Sequence, residues 1–482
     1  MNSWSLEDIV GAVGGTVISK KECRLTGLGT DTRRDLSGNI FFALRGDQFD
    51  AHDFLPKAFA QGAAGLVVDR AEVVTEELRS RGTIILVPDT LRALQDFSKW
   101  YRRKLKVKVV GITGSAGKTS TKEFLATILE KRKRVFFSKG SFNNHWGVPI
   151  SLLGIELTHE VALIEMGMNH PGELTSLVEI SQPDIVLCTM VGQAHIEHFG
   201  TVERIAEAKE EIYVASQPSA TRIFNLDNPW TLKMFERFEK SDPGGSRITF
   251  SELDGDRKSV DVSLHVEAMT LDGLVIRGKI RDVESQKKNV RIFGHQNCVN
   301  LMAAAAAALA CGLTPEEIWQ GLGECRTVWG RNQLLQTEAK IRILFDGYNA
   351  NPESMLALLE NISRLRASDS GPTRRIGVFG QMLELGQASK ELHEKLGEQA
   401  AKAGFEEVFF YGLDFLEFSK GFRSINSTTP LHVQEKFTSD FADRLLQSAK
   451  PQDLIVVKGS RGMALERMIL PLRPVNFEKG SL

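Results

Sequence analysis

The stretch from Val107 to Thr121 constrains this chain more than any other. Val107, Val109, Val110 and Ile112 make a short β-branched run, the mark of a buried parallel strand. It breaks into a turn carrying Gly114 and Gly117, and an apolar-periodic helix follows with Phe124, Leu125, Ile128 and Leu129. Strand, glycine turn and helix start are what phosphate binding needs. Small residues let backbone N–H groups curl round an anion, and the helix N-terminus adds unsatisfied donors and a favourable dipole. The expected contacts are Thr113, Gly114, Ser115, Ala116, Gly117 and Ser120, with Lys118 reaching the terminal phosphates and the Thr119 hydroxyl ligating Mg²⁺. The spacing differs from the general phosphate-loop pattern: Ile112 fills the place of the first glycine, with Gly111 one residue early and Gly114 two late. A mere strand-to-helix turn is the alternative, and Gly117-Lys118-Thr119 directly after a strand argues against it. A nucleotide site is expected.

At 482 residues the chain exceeds what one core covers, and about three domains is the natural expectation. A hydrophobic content of 42%, a charged content of 25% and a formal net charge of -1 describe a soluble globular protein. That charge gives no case for a nucleic-acid or acidic-membrane partner. The first residues hold no basic region leading into an apolar core, so no secretory signal is expected. No apolar run is long enough to span a bilayer, which excludes membrane insertion by a helix. Cys23, Cys188, Cys298, Cys311 and Cys325 are scattered, odd in number and without metal-type pairing, which fits a reducing cytoplasm.

The pattern predicts an α/β chain of three domains. Residues 1–104 read as a small α/β unit with a helix over Leu6, Ile9, Val10 and Val13 that stops at Gly14-Gly15. Strands follow at 40–44 and 65–68, with a helix over 58–64 between them. Residues 105–329 form a central region like a phosphate-loop ATPase, with a parallel sheet and an antiparallel insertion near Val260, Val262, Leu264 and Val266. The strand at 161–164 ends in Glu165, and His195 follows the strand at 185–188. Ligands in open α/β sheets sit at the carboxyl ends of strands, so both are placed to face the phosphate loop and share its Mg²⁺. Lys209 shares the apolar helix stripe of Ile205, Ala208 and Ile212, an unusual place for a lysine. Asn297 and Asn300 lie one helical turn apart and can face one ligand. Residues 330–482 alternate strands (341–345, 376–379, 408–411, 454–457) with helices, as a Rossmann-like domain does. Arg331, at the junction before it, is placed to swing onto a phosphate.

Three further stretches are specific: Phe142-Asn143-Asn144-His145-Trp146-Gly147-Val148-Pro149, Glu165-Met166-Gly167-Met168-Asn169-His170-Pro171-Gly172-Glu173-Leu174 and Tyr348-Asn349-Ala350-Asn351-Pro352. With the phosphate loop they resemble the Mur ligases, the ATP-dependent amide-forming enzymes of peptidoglycan precursor synthesis, over nearly the whole chain. Within that family they are similar to the members that add D-alanyl-D-alanine to a UDP-linked muramoyl tripeptide. The resemblance implies that residues 1–104 hold the uridine diphosphate end, with Thr32, Arg33 and His52 at matching positions. It implies that Asn143 and Asn144 touch the peptide stem or organise the central site. Lys118, Thr119, Glu165 and His195 match the family's phosphate and magnesium positions, and Asn297, Asn300, Arg331 and Asp346 match those contacting ATP. Tyr348, Asn349 and the Lys458 loop would face the incoming dipeptide. Lys209 matches a lysine carbamylated by CO₂ in several Mur ligases, and that carbamate would hold a second magnesium. A cytoplasmic monomer is expected. The chain departs from the family pattern at Gln296, where histidine is common, at Ala51, where glycine is usual, and at Phe345, where aspartate is usual.

The chemistry implied is carboxylate activation: a carboxylate takes the γ-phosphoryl group of ATP, and an amine displaces phosphate. Such transfer asks mainly for positioning and charge neutralisation, which Lys118, His195, Lys209 and Arg331 would supply. A sister ligase using a different amine and a phosphate-loop switch without an amine substrate are the two other readings.

Overall fold

The computed structural model describes residues 4–22, 25–46, 49–138, 140, 142–252, 260–365, 374–475 and 477. Cys23, one of the five cysteines, lies outside them; the other four are buried. The chain divides into two compact units. The first comprises Met1–Ile112, Arg132–Val186 and Glu211–Ala220, and the second Thr113–Lys131, Leu187–Glu210 and Thr221–Leu482.

In the first unit, a five-stranded sheet runs Thr16–Ser19, Thr83–Leu86, Gly65–Val68, Asn39–Phe42, Gly27–Gly29. The first pair is antiparallel and the others parallel. Ile40, Phe41, Phe42, Leu66, Val67 and Val68 are buried on both faces, as the continuous apolar runs require. Helix Leu6–Val13 starts at a capping box made by Ser5 and Asp8 and stops at Gly14 in the left-handed region (φ 63). The helix expected over 58–64 lies instead at Leu55–Ala60: Gly62 has φ 91, which a continuing helix cannot adopt. Three more strands, Lys108–Thr113, Val161–Glu165 and Val135–Phe137, pair in that order, all parallel, and set Glu165 opposite Ile112.

In the second unit, helix Lys118–Leu129 packs on helix Gln296–Ala310, whose alanines from Ala303 to Ala308 are fully buried. The expected insertion is an antiparallel meander of Val262–Thr270, Gly273–Ile280 and Val283–Val290. The last sheet orders Gln333–Gln336, Arg342–Asp346, Leu454–Lys458, Arg375–Gly380, Glu407–Tyr411, Leu431–Gln434. All neighbours are parallel except the first pair. The four central strands are those the apolar runs predict. The two edge strands carry no such run and are defined by the ladder they complete. Phe345, at one of the family departures, is fully buried and stacks edge-on with Trp329, so its apolar ring is used for packing.

Candidate active site

The phosphate loop is shaped by what its glycines must avoid. Gly114 has φ 143, and a Cβ there would lie 1.9 Å from Thr189 Oγ1. Gly117 has φ 85, and a Cβ there would lie 2.2 Å from Asn300 Oδ1. Thr189 holds the loop from one side: its N–H donates to Thr113 O (2.9 Å) and its hydroxyl to Ala116 O (2.5 Å). Ser115 N–H donates to Met190 O at 2.9 Å, and the Ser115 hydroxyl exchanges hydrogen bonds with Gly192. Gly117 is the residue before helix Lys118–Leu129, and no side chain caps that helix start. A helix start favours an anion through the direction of its amides and its dipole. Lys118 Nζ rests on the loop carbonyl of Gly114 at 2.7 Å, within the same cradle.

Asn297 and Asn300 do pair off on one helix face. Asn300 Nδ2 donates to Asn297 Oδ1 (3.0 Å), and Asn297 Nδ2 donates to Phe293 O (2.8 Å). Asn300 thereby presents its oxygen to Gly117. Gln296, the second family departure, accepts from Asn361 Nδ2 at 2.6 Å and so ties this helix to Pro352–Arg364.

Arg331 reaches the loop: its Nη2 donates to Thr119 Oγ1 at 3.2 Å, and its guanidinium lies 4.3 Å from the ring centre of Tyr348. Tyr348 therefore supports the arginine with its face. Asp346 is buried and accepts from Lys458 Nζ at 2.5 Å and from Asn332 N–H at 3.3 Å. Burial lowers the Lys458 pKa, against the raising influence of Asp346. Lys458 also donates to Asn349 O at 3.1 Å, while Asn349 Oδ1 accepts from Ala350 N–H at 2.9 Å.

His195 stands in left-handed backbone (φ 65) with Nδ1 2.7 Å from Glu384 Oε2. Burial lowers its pKa and Glu384 opposes that fall. Lys209 is fully buried, and burial together with Lys118 lowers its pKa to about 7. Cys188, beside it electrostatically, is pushed up to about 11 by the same burial. A polar cavity of about 160 Å³ brings several of these groups together. Ser115, Lys118 and His195 line it with Asn349, Asn351, Glu384, Ser460 and Arg461.

In the first unit, Asn143 Nδ2 donates to the buried Glu165 at 2.9 Å, whereas Asn144 accepts from Gly147 N–H (2.9 Å) just before helix Gly147–Leu153. Thr32 is buried, and Arg33 is exposed and grips Asp31, holding that carboxyl at about 2. His52 is buried with both ring nitrogens engaged. Nδ1 lies 2.7 Å from Asp50 Oδ1, and Nε2 accepts from Asp69 N–H at 3.2 Å. Its ring braces the Asp50 loop, next to the Asp50–Arg70 ion pair (2.5 Å), and does not point outward.

Several contributors escaped the sequence reading. Glu384 had no motif to flag it. Glu353 Oε1 accepts from Gln193 N–H at 2.6 Å, and Asn351 Nδ2 donates to Ser115 O at 3.2 Å. Asn351 lies within the Tyr348–Pro352 stretch and Glu353 directly follows it, which was the one available signal.

Residues 112–308 match the Mur ligase middle domain family, and residues 330–461 match the family described as Mur ligase, glutamate ligase domain. The chain belongs to the Mur ligase family. Among its relatives, the UDP-N-acetylmuramoyl-tripeptide–D-alanyl-D-alanine ligase of Bacillus subtilis (strain 168) is 32% identical over 471 residues, 97% of this chain and 98% of the relative. The enzyme of the same name from Escherichia coli (strain K12) is 31% identical, covering 92% and 93%. Of solved structures, MurF from Acinetobacter baumannii superimposes with a TM-score of 0.85 at 28% identity, covering 98% of this chain and 99% of that one. MurF ligase from Thermotoga maritima in complex with ADP gives a TM-score of 0.76 at 27% identity, covering 92% and 96%.

Proposed function

We propose that the protein joins D-alanyl-D-alanine to a UDP-N-acetylmuramoyl tripeptide at the expense of ATP, in the cytoplasm, releasing ADP and phosphate. The observation that carries this reading is the shared cavity. The phosphate loop contributes Ser115 and Lys118 to it, and the Tyr348–Pro352 and Lys458 loops contribute Asn349, Asn351, Ser460 and Arg461. A phosphate-loop switch has no use for a second polar wall facing its lysine; a ligase needs a seat there for its amine. The relatives' names favour the dipeptide over other amines.

The helix start after Gly117, with its dipole, and Lys118 suit the phosphates of ATP. Arg331, steadied by Tyr348, neutralises charge at the transferring group. The stem carboxylate takes the γ-phosphoryl group, giving an acyl phosphate; the dipeptide amine attacks its carbonyl carbon, the acyl–oxygen bond breaks, and phosphate leaves with the amine proton lost to the site. Thr119, His195 and Lys209 as its carbamate suit Mg²⁺, which when bound neutralises phosphate charge. Glu165, which the family pattern adds to that set, is buried and takes its hydrogen bond from Asn143. Residues 1–104 would hold the uridine end, residues 105–329 ATP and residues 330–482 the dipeptide, in a monomer.

Mass spectrometry of the product from UDP-muramoyl tripeptide, ATP and D-Ala-D-Ala tests the reading. Without the dipeptide, hydroxylamine should trap an acyl phosphate on the tripeptide. Phosphate release that needs neither acceptor would overturn it.

A further inference from the structure

We infer that Glu384 is a positioning residue for His195, fixing which ring nitrogen faces the cavity shared with Lys118. The inference deepens the ligase reading and relies on it for its turnover measurement only. His195 Nδ1 is buried and lies 2.7 Å from Glu384 Oε2, an ion-pair contact that lacks the angle of a regular hydrogen bond but still sets a carboxylate against that nitrogen. A carboxylate there selects the Nδ1–H tautomer and leaves the Nε2 lone pair for the cavity, the form that ligates a cation or accepts a proton.

Both partners are built to meet. His195 (φ 65) and Glu384 (φ 63) are non-glycine residues in left-handed backbone, a conformation that persists only where the surroundings hold it. The surroundings of Glu384 are well defined. Met382 N–H donates to the fully buried His393 Nε2 at 3.0 Å, and His393 Nδ1 faces Ser389 O at 2.7 Å and Asp414 Oδ2 at 3.1 Å. Asp414 also accepts from Gln381 Nε2 (3.2 Å) and Ser389 Oγ (2.5 Å), and Leu383 N–H donates to Ser460 Oγ at 2.9 Å. On the far side, a Cβ at Gly386 (φ 52) would come 3.1 Å from Glu197 Cγ, two residues beyond His195. The turn after strand Arg375–Gly380 is thus anchored beneath Glu384 and pressed against the His195 segment. Orientation of a central-region histidine is set by a residue of a turn that follows a strand of the C-terminal sheet.

Glu384→Gly is the decisive variant, because glycine adopts the left-handed backbone freely while the carboxylate is lost. Magnesium-free protein labelled with ¹⁵N-histidine is examined by long-range ¹H–¹⁵N NMR at about pH 8.5, above the ordinary histidine range, with His195→Asn assigning the signal. Wild type should show His195 protonated on Nδ1 alone. Glu384→Gly should keep its melting temperature, show mixed tautomers and lose roughly 10- to 100-fold in kcat, with KM for the UDP-linked substrate unchanged. Glu384→Asp should fall between the two in both readouts. An unchanged His195 tautomer in Glu384→Gly would overturn the inference. If wild type makes no amide product, the ligase reading fails instead, and the NMR result still decides the role of Glu384.

Discussion

Lys209 gives the sharpest quantitative test. Its amine is fully buried beside Ile205, Ala208 and Ile212 on the inner face of helix Val202–Val214, and burial drops its pKa from 10.5 to about 7. In the unfolded chain the amine stays protonated up to its ordinary pKa, whereas in the folded chain it is protonated only below about 7. Between those values the unfolded state binds the extra proton, so folding stability rises with pH across that window and is flat below it. The slope approaches about 1.4 kcal/mol per pH unit, and between about pH 8.5 and pH 6 the amine alone costs roughly 2 kcal/mol. Lys209→Met keeps the stem and removes the titration. Urea unfolding of both proteins, in CO₂-depleted and magnesium-free buffer, gives each stability from midpoint and slope. Other titrating groups cancel in the difference. The stability gap in favour of methionine should widen by about 2 kcal/mol as pH falls from about 8.5 to 6. Bicarbonate at the higher pH should stabilise the wild type alone, since the neutral amine is the species that attacks CO₂ to form a carbamate. A gap independent of pH would refute a buried amine titrating near neutrality.

Lys118→Ala should cost on the order of 10²-fold or more in turnover with little change in melting, and normal turnover would contradict the phosphate-loop assignment. Arg331→Lys loses the planar fork that reaches Thr119 and rests on Tyr348; kcat should fall while binding of the UDP-linked substrate, measured by calorimetry, holds. Tyr348→Phe should leave ATP use unchanged, whereas Tyr348→Ala should weaken it by about 0.5–2 kcal/mol, the worth of a cation–π contact, read as the KM for ATP. Gly117→Ala places a Cβ 2.2 Å from Asn300 Oδ1 at φ 85; fluorescent-nucleotide titration should show binding lost, and retained binding would mean the loop is free to relax.

Sequence alone determined what depends on local pattern. The β-branched run before Gly114, the stop at Gly14 and the four central strands of the last sheet follow from periodicity and from backbone angles only glycine adopts freely. The stripe that carries Lys209 was legible for the same reason, because a helix of period 3.6 assigns its faces before it packs. What the sequence could not express was pairing across long separations. Glu384 meets His195 across 189 positions (384 − 195), and Arg331 reaches Thr119 over 212. Neither pair leaves a spacing rule. His52 shows the same limit in reverse: a polar loop residue is expected outside, yet Asp50 and the Asp69 amide satisfy both its nitrogens inside. Edge strands Gln333–Gln336 and Leu431–Gln434 exist because neighbouring ladders offer them hydrogen bonds. Local preference fixes which elements form; the side chains that meet at the cavity are chosen only when those elements pack, because burial and hydrogen-bond satisfaction are properties of the assembled chain.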